Sequence, residues 1–206
     1  MLIYLVSQVV EGLNRGRDDA KNRKVRFRVY DYLVSTNRPI GGEHYRRLEA
    51  GLDRLKGTTI KTNVGTGGTR IKHAFGLIDD WKIVERSPTD ERMIGVEVTL
   101  SEWLHNAILS REVLTLSRDY FRLGSALERR LYELARKHCG HQPKWSIGME
   151  LLHKKSGSTD LLKRFRAAIK KLVVTANLPD YRLKYDPDID QISFLYQPKD
   201  TADLAY

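Results

Sequence analysis

The chain has 206 residues, with 36 Lys and Arg against 26 Asp and Glu, a formal net charge of +10 when its six His are neutral. That length is one large domain or two compact ones of about 100 residues, and a composition 41% hydrophobic and 30% charged excludes disorder for most of it. The apolar opening, residues 2–10, is about half of a membrane span and has no basic leader or cleavage site, so a cytoplasmic protein with no membrane partner is expected, its positive charge pointing to a polyanion.

Leu2, Ile3, Leu5, Val6, Val9 and Val10 recur at helical spacing and end near Gly12 and Gly16, which predicts a first helix of about 14 residues. After the basic stretch 15–28, the residues Phe27, Tyr30, Tyr32, Leu33 and Val34 mark a short strand leading into a second short helix, stopped by Pro39. Residues 43–56 read as a third helix, with Tyr45, Leu48, Leu52 and Leu55 as its stripe and Gly57 as its end. Two or three strands follow over 58–64, 70–86 and 93–100, the first break being a turn at residues 65–68, and residues 102–109 form a bridging helix. From Ser117 the order begins again. Ser117 caps a long helix that buries Phe121, Leu123, Leu127, Leu131 and Leu134 and ends at Gly140. A short strand over 143–146 and a short helix over 147–155 come next. Ser158 or Thr159 then caps a helix reaching about Thr175, whose stripe is Leu161, Leu162, Phe165, Ala168, Ile169, Leu172 and Val173; a hairpin of residues 181–185 and 191–196 closes the unit.

Three helices followed by a β-hairpin is the order of a winged helix, so the expected fold is α+β with two tandem winged-helix domains, residues 1–109 and 110–206. There is no convincing letter-by-letter repeat; the duplication rests on element order. In a winged helix the third helix enters a DNA major groove and the hairpin lies along the backbone. Around the stripe of the last helix stand Lys163, Arg164, Arg166, Lys170 and Lys171 against the single Asp160, a nearly all-positive face, with Ser158 and Thr159 at its start. In the hairpin Arg182 and Lys184 alternate with Tyr181, Leu183 and Tyr185, so both cations share one face. In the first unit Arg46, Arg47 and Arg54 come out opposite the apolar stripe beside Glu43 and Ala50, with Arg46 and Arg47 better placed for bases because recognition helices use their N-terminal half. Lys61, Arg70 and Lys72 flank the glycine turn as phosphate contacts of a first wing.

Spacing alone leaves Ser/His/Asp and Cys/His nucleophile arrangements open, but no recognised catalytic motif stands beside this reading. Residues 65–69 lack the Gly-x-x-x-x-Gly-Lys-Ser/Thr phosphate loop and join two strands. One cysteine, Cys139, excludes an internal disulfide; with His138 and His141 it reads as a helix end, and no metal is expected. Asp186, Asp188 and Asp190 imitate a calcium loop, but Gln191 stands where glycine is needed and Gln197 where Glu is needed. Neither a His-x-His pair nor a nucleophile elbow occurs. The expectation is a binding protein with no cofactor, not an enzyme.

Residues 2–17 (LIYLVSQVVEGLNRGR), 36–49 (TNRPIGGEHYRRLE), 178–186 (LPDYRLKYD) and above all 129–140 (RRLYELARKHCG) resemble the replication initiator protein A family of bacterial plasmids. The resemblance implies a plasmid-encoded initiator with two winged-helix domains, similar in plan to iteron-binding initiators, each domain reading part of a directly repeated origin site. It further implies recruitment of the host initiator and replicative helicase, and dimerisation through the first domain to repress its own promoter. Family members usually carry further residues ahead of the segment matching Leu2, which leaves both a truncated and a genuine start open. The function expected is sequence-specific binding of double-stranded DNA that promotes origin opening. The alternatives are a transcriptional repressor on operator DNA, a nicking enzyme and a non-specific basic protein.

Overall fold

Apolar residues at helical spacing set the first element of the computed structural model, which describes residues 1–66, 69–87 and 90–198, the side chains of 63–72 and 85–94 excepted. Helix α1 (Leu2–Asn14) turns Tyr4, Leu5 and Val9 inward. Strand β1 (Lys24–Phe27) alternates exposed with buried residues, and α2 (Val29–Ser35) adds Val29, Tyr32 and Leu33 to the same core. Tyr4 meets Phe27 and Tyr32 edge to face, at centroid distances of 5.3 and 5.1 Å, the geometry that places a positive ring edge on a negative ring face. Helix α3 (Gly42–Gly57) closes this core with Leu48 and Leu52.

Four strands, not two or three, follow α3. They are β2 (Thr59–Thr66), β3 (Thr69–Gly76), β4 (Ile78–Ser87) and β5 (Asp90–Leu100). Their pairing separates two hairpins: β2 and β3 make a two-stranded sheet of their own, whereas β4 and β5 join β1 in an antiparallel sheet of order β1-β5-β4. The expected single strand over 70–86 breaks at Leu77, and the hairpin that shares the core sheet is β4–β5. Lys61, Arg70 and Lys72 therefore belong to an additional hairpin, not to the one that joins the core sheet. That hairpin is anchored by Phe75, whose ring stacks on Trp103 of α4 (Glu102–Leu109) at 4.0 Å. Ser101 caps α4 by accepting from the Leu104 amide.

The chain divides into two compact units, Met1–Val113 and Leu114–Tyr206. The expected boundary after Leu109 falls four residues early, because the Arg111 and Glu112 amides fold back onto the carbonyls of Ile108 and Ala107, with Arg111 in the left-handed region at φ 57°.

In the second unit Ser117 does not cap a long helix. It caps a short 3-10 turn over Arg118–Arg122, and α5 (Ala126–His138) starts afresh beyond Gly124. The start is a capping box: Ser125 Oγ accepts from the Glu128 amide at 3.1 Å, and the Ser125 amide donates to the Glu128 carboxylate at 2.7 Å. Ser125→Ala is expected to cost about 1 kcal/mol of stability, read as a lower Tm with unchanged helix content at 20 °C. Beyond α5 come β6 (Lys144–Gly148), α6 (Met149–Ser156), α7 (Leu162–Thr175), β7 (Tyr181–Asp186) and β8 (Gln191–Tyr196), with an antiparallel sheet of order β6-β8-β7. Gly157 ends α6 at φ 72°, a left-handed cap that a side chain would strain. With the extra β2–β3 hairpin and α4 of the first unit set aside, both units run helix, strand, helix, helix, hairpin, with the last strand of the hairpin in the centre of the sheet. Among the described residues no helix is long and apolar enough to cross a membrane.

Candidate nucleic-acid interface

Helix α7 is held by few side chains. Only Phe165 and Ile169 are fully buried, Phe165 against the His153 ring at 4.8 Å, and Leu162, Ala168, Leu172 and Val173 are half-buried on the same side, which leaves the opposite face outward. Leu161, expected in the stripe, is instead 72% exposed and stands just before the helix. Ser158 and Thr159 do not cap it either: the helix starts at Leu162 with Leu161 at its N-cap, and Ser158 Oγ accepts from the Asp160 amide in a local turn ahead of it.

The outward face carries Lys163, Arg164, Lys170 and Lys171, all exposed, with Ala167 between them and Val174 beyond. Among the described residues no carboxylate pairs with Arg164. Arg166 is different. Its Nε and its Nη2 both donate to the Asp190 carboxylate at 2.8 Å, tying α7 to the β7–β8 turn. The Tyr185 hydroxyl donates to the same carboxylate at 2.9 Å, and the Lys170 ammonium sits 4.8 Å from the Tyr185 ring centroid. The Arg166 guanidinium holds the Asp190 carboxyl below its ordinary value, and Asp190 in turn raises Arg166 and Tyr185.

A carboxyl lowered in the folded state stabilises above its unfolded pKa, near 3.9, and that contribution is lost as pH falls through the lowered value. Asp190 has φ 48°, which Asn tolerates, so Asp190→Asn keeps the backbone. It is expected to lower the Tm at pH 7, with the gap to the native chain closing below about pH 4 in a series of thermal melts.

The hairpin beside α7 keeps the alternation read from its sequence. Tyr181 and Leu183 are buried while Arg182 and Lys184 are exposed, pairing across the sheet with Leu195 and Ser193. In the first unit Arg46, Arg47 and Arg54 are exposed on α3, Arg47 in an i, i+4 ion pair with Glu43. Such exposed pairs are worth about 0.3–0.5 kcal/mol and exchange readily for a stronger anion. Lys61 is exposed on β2; the side chains of Arg70 and Lys72 lie outside the described residues.

Two basic groups were not among the expected contacts, the first lying in the stretch 15–28 already read as basic. On β1, Lys24 and Arg26 point outward with Arg28 just beyond, although Lys24 and Arg26 are spoken for by Glu97 at 3.4 and 2.6 Å and hold its carboxyl below the usual range. Period-two alternation with Val25 and Phe27 was the signal. The other group is Lys154 and Lys155 in the last turn of α6, where the Arg130 guanidinium also caps the Lys155 carbonyl.

His138, Cys139 and His141 are occupied separately: His138 stacks on Trp145, Cys139 donates to the Gln142 carbonyl, and His141 meets the Tyr196 ring. Burial raises the Cys139 thiol above its ordinary value. Among the described residues no three His, Cys, Asp or Glu side chains are grouped to hold a metal ion.

The model of the replication initiator protein A family matches residues 1–183. A curated relative from Wigglesworthia glossinidia brevipalpis, described as "Putative replication protein", is 39% identical over 193 residues, covering 93% of this chain and 70% of the relative. Two solved structures of domains 2 and 3 of RctB share the fold, with TM-scores of 0.71 and 0.64 at 12% identity; they cover 96% and 95% of this chain and 81% and 80% of those chains.

Proposed function

The chain belongs to the replication initiator protein A family, and from that premise we propose that it starts plasmid replication by binding duplex DNA sequence-specifically, without catalysing a reaction. Each unit is read as a winged helix, α3 and α7 being the helices that enter major grooves. The observation that carries this reading is the outward face of α7, with Lys163, Arg164, Lys170 and Lys171 exposed beside the basic strand of Arg182 and Lys184. Arginine forks onto guanine O6 and N7 or onto phosphate, and lysines on helix and wing neutralise the backbone. Binding of both units to directly repeated origin sites strains the adjacent duplex and presents protein surface to the host initiator and replicative helicase in the bacterial cytoplasm. Dimerisation through the first unit turns the same surfaces to repression of its own promoter.

The test is fluorescence anisotropy of the full chain on a duplex carrying the direct repeats beside its own gene, against a scrambled duplex, at several salt concentrations. A preference of about 10³-fold or more at physiological salt is expected. Equal affinities on the two duplexes would reduce the protein to a non-specific polycation.

A further inference from the structure

The two helices assigned to major grooves correspond more closely than element order requires. Setting the buried pair of α3, Leu48 and Leu52, against that of α7, Phe165 and Ile169, aligns residues 45–55 with 162–172. Over these eleven positions the alternation of exposed, half-buried and buried residues is the same residue by residue. Chemistry agrees at nine of them, the exceptions being Glu49 against Arg166 and Asp53 against Lys170. A repeat thus exists where letter matching found none, because burial supplies an offset that composition hides. The helices also hold equivalent places: α3 packs on β4 and α7 on β7, the first strand of each sheet hairpin.

The outward residues follow the same register: Arg46 with Lys163, Arg47 with Arg164, Ala50 with Ala167 and Arg54 with Lys171, all exposed. On a helix, positions i, i+3 and i+4 share a face, so Arg47 and Ala50, like Arg164 and Ala167, reach neighbouring base pairs. An arginine there reads guanine, and a bare methyl beside it reads the C5 methyl of thymine.

We propose that α3 and α7 are equivalent readers, so that the DNA bound by one chain holds two related half-motifs, each with a guanine beside a thymine. This rests on the duplex-binding reading above and goes beyond it by stating what the two units recognise. The two charge reversals divide the labour. From 162 to 172 the second unit has five cations and no acid, four of the cations being left to DNA once Arg166 is bound to Asp190, whereas from 45 to 55 the first has three cations and two acids. The second unit accordingly dominates affinity and salt dependence, and the first adds discrimination.

The experiment is repeated selection from a random duplex pool with the full chain, then with Arg47→Ala, Arg164→Ala and Asp53→Lys, all at exposed positions whose replacement leaves the cores intact. The native chain is expected to enrich two related half-motifs. Each arginine variant relaxes the guanine of one half about 10-fold or more, at the same place within its half. Uracil for thymine in either half weakens binding several-fold, and Asp53→Lys tightens binding and steepens the log–log salt slope by about 1. Two enriched half-motifs of unrelated sequence would overturn the equivalence while leaving duplex recognition standing. A pool with no enrichment would overturn both.

Discussion

Replacing Lys163, Lys170 and Lys171 together by Ala is expected to weaken binding of the repeat-bearing duplex by about 10²-fold or more, and of a scrambled duplex by nearly the same factor. The three ammonium groups are exposed and extend from the outward half of α7. Being point charges on flexible stems they suit phosphate rather than the planar fork of a guanine edge. Each phosphate contact contributes about 0.9 to the log–log salt slope, so the triple variant should lose between 2 and 3 in slope, roughly its three charges. Alanine is the best helix former, so α7 itself is kept. Arg164→Ala should behave differently: a loss of about 1–3 kcal/mol on the specific duplex and a much smaller one on the scrambled duplex. Anisotropy over about 50–200 mM salt separates the two behaviours. If the lysine variant lost affinity only for the specific duplex, the division of this face into phosphate and base contacts would be wrong.

The amphipathic elements were legible in sequence because their stripes are long: α1, α3 and α7 come within about three residues of their read boundaries. What was misread was short-range competition between equivalent signals. Ser117 and Ser125 are both good caps, but only Ser125 has an acid three residues on, and that reciprocal pair marks the true start of α5. Ser158 and Thr159 look like caps, but Ser158 serves a local turn and the helix starts beyond it at Leu162. The β2–β3 pairing about the glycine turn was legible, but the break at Leu77 and the separate β4–β5 hairpin were not, because periodicity shows that a segment is extended and not which partner it pairs with.

The run that most resembles the family, residues 129–140, proves to be scaffold. Leu131, Tyr132, Leu134 and Ala135 are buried; the Arg129 and Arg136 guanidiniums donate to the carbonyls of Leu123 and Thr115; and the Gly140 carbonyl, at φ 59°, accepts from the Tyr181 hydroxyl at 2.6 Å. A recognisable segment therefore marks a fold that needs many simultaneous contacts. The outward face of α7 lies outside every resembling run, and its charge made it legible, whereas on α3 Arg46 and Arg47 fall inside the run 36–49.

The same economy of contact makes Phe165 the weak point of the second unit. Phe165 and Ile169 are the two fully buried side chains of α7, and Phe165 lies against His153 of α6 in a core with Leu152 and Met149 fully enclosed. Truncating a buried Phe costs about 3–5 kcal/mol, a large part of the 5–15 kcal/mol that stabilises a domain. Phe165→Ala is expected to lose amide protection through α5–α7 and β6–β8 in hydrogen exchange. The amides of α1, β1 and β5 belong to a core made of Tyr4, Leu5, Val98 and Leu100 and should keep theirs. Because the lysines of α7 owe their common face to that single helix, duplex affinity should fall with the protection even though no charge is removed. Equal loss of protection in both units would mean that the chain unfolds as one cooperative body. Retained protection in α7 would mean that Leu162, Leu172 and Val173, half-buried along the same stripe, suffice to hold it.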